Sequence, residues 1–505
     1  MAVNRNNSLN RGFIGVDKRV GNDGIFRPRA EYLDAMNQGR FVEYDFTTGS
    51  YYSKVNIDRM SLGSYTDSTG TLRSNSGALR IEYGRTSGVT LGLLVERQST
   101  NHTTSNWGNG NSETFHIYGG PWIFFNPEWT RGWTATQSAT GGWSIIDFAG
   151  ACAPDGFPTA DLYVPGSAGQ KMCYHGNPYI TKSGATHGVM SIFAKVYGVT
   201  VEGGTAPTRL QIGDAGNNAF NVRYNIISGT IISQAGVCSA WIENYGNGWW
   251  RCSFSRIGII TPNIGAYPSN NETPNPYGPV YNGYTASTPG QTGMLLWGFQ
   301  SELGAYYPTS YIRTGNYDPI GEIYQPPGYV INPSGAVSTR KADQVYISGV
   351  TSWLQFPGTF FVEYYRRDGL ASGTNITQNT IIATDNVNGR FICVDHVPSG
   401  TTVALRWTGG STTAPGGVTG LNRVAFSVRG VSGASSSVQI VLNGGTASGI
   451  ATSDFNIDAA QWITIGSRST GLTSGYSNFY DGIIRKVRFY PRELTAQEMR
   501  DITRV

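Results

Sequence analysis

A retaining glycosidase needs two carboxylates on one face, which a strand supplies with strings such as Glu-x-Asp-x-x-Glu at period two. The sequence holds no such string. Glu302, in "SELGAYY", and Glu363, in "VEYYRRD", lie in strand-like runs, and neither has a second carboxylate two positions on. Each is expected to end in a strand-end ion pair. The five histidines, His102, His116, His175, His187 and His396, show no H-x-x-x-H spacing, and no G-x-S-x-G or G-K-S/T phosphate loop occurs. These absences read as a protein that is not an enzyme and has no cofactor. Calcium is the one metal that scattered loop acids (Asp368, Asp385, Asp395, Asp481) could hold, although no EF-hand is present.

Aromatic side chains are the more promising chemistry, because sugar rings and protein partners both stack on them. Five candidate contacts follow: Trp122 and Trp129 in "YGGPWIFFNPEW", Trp249 in "ENYGNGWWRCSFS", Tyr306 after the Glu302 run, and Trp407 in "RWTGG". For each taken alone, core packing is the better reading. In the paired-tryptophan stretch, strand alternation decides part of the question. Folding at Asn244 to Gly248 sets Cys238 opposite Cys252 and Ala240 opposite Trp250. Cys238, Ala240, Ile242, Trp250, Cys252 and Phe254 then form one apolar face, and Trp249, Arg251 and Ser253 take the other. Trp250 is therefore expected in the core, with Trp249 stacked on Arg251 or beneath a loop.

The elements that must position these residues are strands. The chain has 505 residues, 67 of them glycine, with 12% aromatic and only 14% charged residues. That composition suits a β-rich protein with many turns. Runs such as "GVMSIFAKVYGV", "GMLLWGFQSEL", "GTFFVEYYRR" and "NRVAFSVRG" alternate with Gly, Asn and Ser clusters, as in antiparallel sandwiches. The best helical window is "ELTAQEMRDITRV", where Thr495 and Glu498 form a capping box.

Net charge is +4, too small and too dispersed for nucleic acid as a partner. Of the 37 basic residues seven are lysine and 30 arginine, a skew that suits large fixed interfaces. Five cysteines at irregular spacing read as reduced thiols. "MAVNRNNSLN" lacks the apolar stretch of a signal peptide, and no apolar run has the length of a membrane span, so a chain made in a cytoplasm and not inserted in a membrane is expected.

Residues 1–42 read as a basic docking arm carrying Arg5, Arg11, Lys18, Arg19, Arg27 and Arg29. Residues 43–112 read as a β-rich leader, 113–320 as a first sandwich, 321–337 as a Pro/Gly-rich linker and 338–505 as a second sandwich.

Several strings, in this order, resemble virion structural proteins of tailed bacteriophages. Ser61–Asn101, from "SLGSYTDSTG" to "LGLLVERQSTN", is similar to the leader of that family. "NPEWTRGWTA", "MSIFAKV" and "YGNGWWRCSFS" resemble its first sandwich. "MLLWGFQSELGAYYPTSYIRT" resembles that sandwich's ending, "STRKADQVYISG" the start of a second domain, and "NFYDGIIRKVRFYPRELTAQEM" its last strand and helix. The resemblance runs from about residue 43 to 503. It implies a structural protein of the virion, made in the bacterial cytoplasm, with lectin-like sandwiches, the first (113–320) of jelly-roll and the second (338–505) of laminin-G or concanavalin type, and no shared catalytic centre. A short tail fibre, baseplate or adhesion protein is the leading expectation, homotrimeric and facing other virion proteins or a host-surface glycan. A head or neck decoration protein held by its arm is the alternative, and a glycan depolymerase the remote one.

Overall fold

The computed structural model describes residues 41–51, 55–59, 61–105, 133–137, 144–147, 152–156, 160–164, 169–175, 187–198, 208–214, 220–236, 238–257, 262–267, 280–281, 293–305, 307–312, 336–366, 379–384, 392–396, 402–407, 410–429, 436–452, 460–469 and 477–505. The arm residues Arg5, Arg11, Lys18, Arg19, Arg27 and Arg29 lie outside them, as do Trp122, Trp129 and Tyr306. The fold is all-β. The ladders between strands of the described residues are antiparallel and build two sandwiches.

In the first sandwich an eight-stranded sheet faces a seven-stranded one. The central strands His187–Tyr197, Trp250–Ile257 and Gly293–Leu303 turn Met190, Ile192, Cys252, Phe254, Met294 and Leu296 inward. They meet Leu210, Ile212, Val222 and Tyr224 from Arg209–Asp214 and Asn221–Asn225. The second sandwich packs a nine-stranded sheet on a seven-stranded one. Period-two alternation is plain in Gly358–Arg366, where Phe360, Val362 and Tyr364 enter the core while Tyr365, on the opposite parity, is 43% exposed.

Strand pairing crosses the segments read from sequence. Leader strand Val42–Asp45 pairs with Gly482–Tyr490, and so does Thr90–Val95. Val55–Asp58 pairs with Gln344–Ser348. Val42, Tyr44, Val55, Leu93 and Val95 are thus core residues of the second sandwich. Ser99–Ser105 and Ala336–Arg340 form a ribbon that joins the first sandwich's eight-stranded sheet. The leader hairpin Gly63–Thr66/Leu72–Asn75 sends Leu72 onto the outer face of that sheet.

The helix is Ala496–Thr503. The Thr495 side chain accepts from the Glu498 backbone N–H and the Glu498 carboxylate accepts from the Thr495 N–H, the capping box expected from sequence. Leu494 and Met499 cover Ala425 and Val441 on the outer face of the nine-stranded sheet.

The paired-tryptophan hairpin keeps its faces but shifts its register. Asn244 pairs with Trp250, Ile242 with Cys252 and Ala240 with Phe254. The turn is tighter than expected: Tyr245 and Trp249 close it through a 2.8 Å backbone bond, and Gly246, Asn247 and Gly248 take φ of +77°, +50° and +79°. The slip is even, so no side chain changes face. Trp250 is half-buried against the first core. Its indole lies against Gly229, where a Cβ would stand 1.9 Å from a ring carbon and where φ is +65°. Gly229→Ala is expected to cost about 1–3 kcal/mol in urea unfolding, through both the clash and the left-handed backbone.

Candidate functional site

Among the described residues, an array of buried charged side chains fills a junction where the leader, the end of the first sandwich and the start of the second meet. Arg80 precedes the short strand Ile81–Tyr83; its neighbours Leu79 and Ile81 pack on the second core, so Arg80, of opposite parity, is turned away from that core into the junction. Its Nη1 donates to the Ser64 carbonyl (2.8 Å), Glu96 Oε2 (2.8 Å) and Ser310 Oγ (2.9 Å), and its Nη2 donates to Asp343. Arg59 donates from Nη1 to the other Asp343 oxygen at 2.5 Å, and from Nη2 to Asn75 Oδ1 at 2.6 Å. Arg340 donates to Glu96 and to the Arg97 carbonyl (2.8 Å). Glu96 also accepts from Ser310 N–H (2.8 Å) and Oγ (2.7 Å). The backbones of Glu96 and Asp343 are tied as well, Asp343 N–H donating to the Glu96 carbonyl at 2.9 Å.

Glu302 extends the array. It accepts from Ser99 Oγ (2.5 Å), Thr309 Oγ1 (2.6 Å) and Thr309 N–H (3.1 Å). Asn101 beside it donates to the Ile312 carbonyl (3.1 Å) and accepts from Ser301 N–H (3.1 Å). Arg59, Arg80, Arg340, Glu96, Asp343 and Glu302 are all at most 1% exposed. Three buried guanidinium charges thus pair with two buried carboxylates, Asp343 and Glu96, while the third, Glu302, is held by Ser99 and Thr309. Burial opposes the charge on Arg80, but Asp343 and Glu96 outweigh it and hold the guanidinium above its ordinary range. Arg340 and Arg59 lie below theirs, chiefly through desolvation and secondarily through the like charge of Arg80. At the rim, burial pushes Asp481 up to about 6 against the opposing pull of Arg97, which bonds it through Nε (2.9 Å) and N–H (2.7 Å).

A small polar cleft of water-molecule dimensions adjoins this array, between leader and first sandwich. In it Arg85 lies 3.6 Å over the Tyr245 ring and bonds Glu243 at 3.1 Å.

The expected site residues fall differently. Trp249 is 2% exposed, donates from Nε1 to the Cys152 carbonyl (3.0 Å) and packs with Phe193, Trp297 and Tyr311. It is a core side chain, because the sheet face it shares with Arg251 is covered by Leu72 of the leader together with Ala153, Ala160 and Tyr311. Trp407 is 6% exposed, in the second core, with Gly410 against its indole. Among the acids, Glu363 makes the ion pairs expected of it, with Arg423 (2.7 Å) and Arg485 (2.9 Å). Glu302 instead takes hydroxyl and backbone donors. Asp395 is not a solvated loop acid: it is buried, accepts from Thr380 Oγ1 (2.7 Å) and pairs with Arg406 (3.0 Å). Burial raises its pKa, and the Thr380 bond only partly offsets this. Asp368 and Asp385 lie outside the described residues. No group of three or more potential metal ligands gathers among the described residues, and no described helix is long and apolar enough to cross a membrane.

Sequence reasoning missed the junction, although most of its residues stood in the stretches named above: Arg80 within Ser61–Asn101, Glu96 in "LGLLVERQSTN", Ser310 in "MLLWGFQSELGAYYPTSYIRT", Arg340 and Asp343 in "STRKADQVYISG".

No family model and no curated protein matches the chain. Among solved structures, the CBM40 module of Ruminococcus gnavus IT-sialidase bound to alpha2,3 sialyllactose aligns at 15% identity over 29% of this chain and 82% of that one, with a TM-score of 0.24. The leech intramolecular trans-sialidase aligns at 16% identity over 29% and 23%, with a TM-score of 0.23. Domains LG4-5 of the mouse laminin alpha1 chain align at 10% identity over 74% and 97%, with a TM-score of 0.20. Likenesses this slight carry no argument about ligand or activity.

Asp343→Asn leaves Arg59 and Arg80 facing an uncharged partner in a dry site. It is expected to lower the unfolding free energy by about 3–5 kcal/mol, measured by denaturant titration.

Proposed function

We propose that the chain is a structural component of a tailed-bacteriophage particle: a short tail-fibre, baseplate or adhesion protein whose sandwiches meet a host-surface glycan or another virion protein. The observation that supports this is the junction. The strings by which the sequence resembles such proteins supply Arg80, Glu96, Ser310, Arg340 and Asp343, and these converge in one buried network. Motif residues spent on holding segments together suit a protein that carries load and presents surfaces. Catalysis gains no support, because Glu302 and Glu363 are both engaged in structural bonds. Partner contacts then belong to loops at the sandwich ends, where sequence can vary without disturbing the core. Homotrimeric assembly, usual for fibres, goes with this reading.

The second reading, a head or neck decoration protein held by its N-terminal arm with no ligand of its own, is favoured by one observation. Trp249 and Trp407, the described candidates for glycan stacking, are both core residues.

Electron microscopy of virions labelled with an antibody against residues 338–505 separates the two. Label at the tail tip or baseplate is the expected result and makes glycan-array binding the next step. A ring at the neck or label spread over the head replaces it with the decoration reading. Unlabelled particles from which the protein is also absent by mass spectrometry overturn both.

A further inference from the structure

We infer that the second sandwich is one folding unit interrupted by the first: residues 41–58 and 79–96 belong with 341–505, and the first sandwich is an inserted module that the interrupted base does not need in order to fold. Three observations carry this. The leader strands are paired members of the base's two sheets. Val42–Asp45 pairs with Gly482–Tyr490 over four residue pairs, Thr90–Val95 pairs antiparallel with the start of the same strand, and Val55–Asp58 closes the edge beside Gln344–Ser348. Second, the apolar cores are separate. Tyr44, Phe46, Val55, Leu93 and Val95 share one cluster with Phe360, Val424 and Ile463, while Ile192, Ile212, Val222 and Phe254 form another. Third, the chain leaves for the first sandwich and returns from it on neighbouring strands. Ser99–Ser105 and Ala336–Arg340 are antiparallel partners, with Ser105 opposite Ala336. Paired Cα atoms in such a ladder lie about 5 Å apart, so a short turn there would close the base without the insert.

The order of synthesis follows from this arrangement. The leader strands are made more than two hundred residues before Gln344–Ser348 and Gly482–Tyr490, with which they pair. Until those arrive, Leu93, Val95 and Tyr44 have no core to enter, and Glu96 and Arg80 have no Asp343. The ion network is therefore the closing joint between base and insert. On the functional reading above, the insert is the exchangeable head and the base its mount. The folding relation stands or falls without that reading.

The test is native-state hydrogen exchange on the full chain in graded denaturant, resolved by peptide. Amides of Val42–Asp45, Val55–Asp58 and Thr90–Val95 are expected to lose protection together with Gln344–Ser348, Gly358–Arg366 and Gly482–Tyr490. Those of His187–Tyr197 and Arg209–Asp214 are expected to open in a separate transition. Ile212→Ala, in the first core, should speed exchange of the first-sandwich amides by about tenfold or more and change the leader amides less than about twofold. Val345→Ala, in the second core, should speed leader and second-sandwich amides together. The inference is overturned if leader amides follow the first sandwich or open alone. It is equally overturned if Ile212→Ala moves all three sets as one.

Discussion

Three guanidinium groups without water are the constraint on which the rest depends. Arg59, Arg80 and Arg340 cannot stay buried unless carboxylates reach them, because an unpaired buried charge costs far more than a packed side chain contributes. Asp343 answers two of them and Glu96 answers two, Arg80 being common to both. The donors come from the leader and from the start of the second sandwich, and the bonds that orient Glu96 come from the Ser310 turn at the end of the first. No two of these segments complete the network without the third. A buried ion array of this kind adds little net stability over an apolar one of the same shape, but it penalises every arrangement that separates its members. Its consequence is fixed relative geometry of the three segments.

The same economy explains why a protein with so few charges favours arginine. Arg59, Arg80, Arg251 and Arg340 are among the largest fully buried side chains. Each serves several acceptors in a plane, which a lysine ammonium cannot do. Arg251 donates to the Thr309 carbonyl (2.7 Å) and Ser191 Oγ (2.9 Å) on the face where Trp249 lies. That face is covered by Leu72 of the leader and by Ala153, Ala160 and Tyr311, so the central strands of the first sandwich are buried on both sides. Aromatic side chains that alternation places outward are thereby converted into core.

Sequence made the β class, the sandwich pattern and the capped helix legible, because each rests on local periodicity or local hydrogen bonding. Strand alternation also assigned the faces around Trp250 correctly. What local pattern could not supply was the second layer over an outward face, so the fate of Trp249 stayed open between stacking on Arg251 and lying beneath a loop, whereas for Trp407 core packing was the favoured role and is the one it has. The junction was illegible for the same reason. Arg80 and Asp343 are 263 positions apart, and nothing within either neighbourhood marks the residue as a partner. The leader offered a weaker clue: Val42–Asp45 and Val55–Asp58 are too short and too few to form a core alone, so they had to complete someone else's sheet.

The most direct measurement of the central claim is a double-mutant cycle between Arg80 and Asp343, using Arg80→Met and Asp343→Leu, with unfolding free energies from denaturant titration. The exposed pair Arg73 and Asp67 serves as the reference, its side chains 48% and 21% exposed. A coupling of about 2 kcal/mol or more across the junction, against about 1 kcal/mol or less for the surface pair, is the expected result. A junction coupling no larger than that of the surface pair would contradict the account, since the segments would then be held by their apolar packing alone.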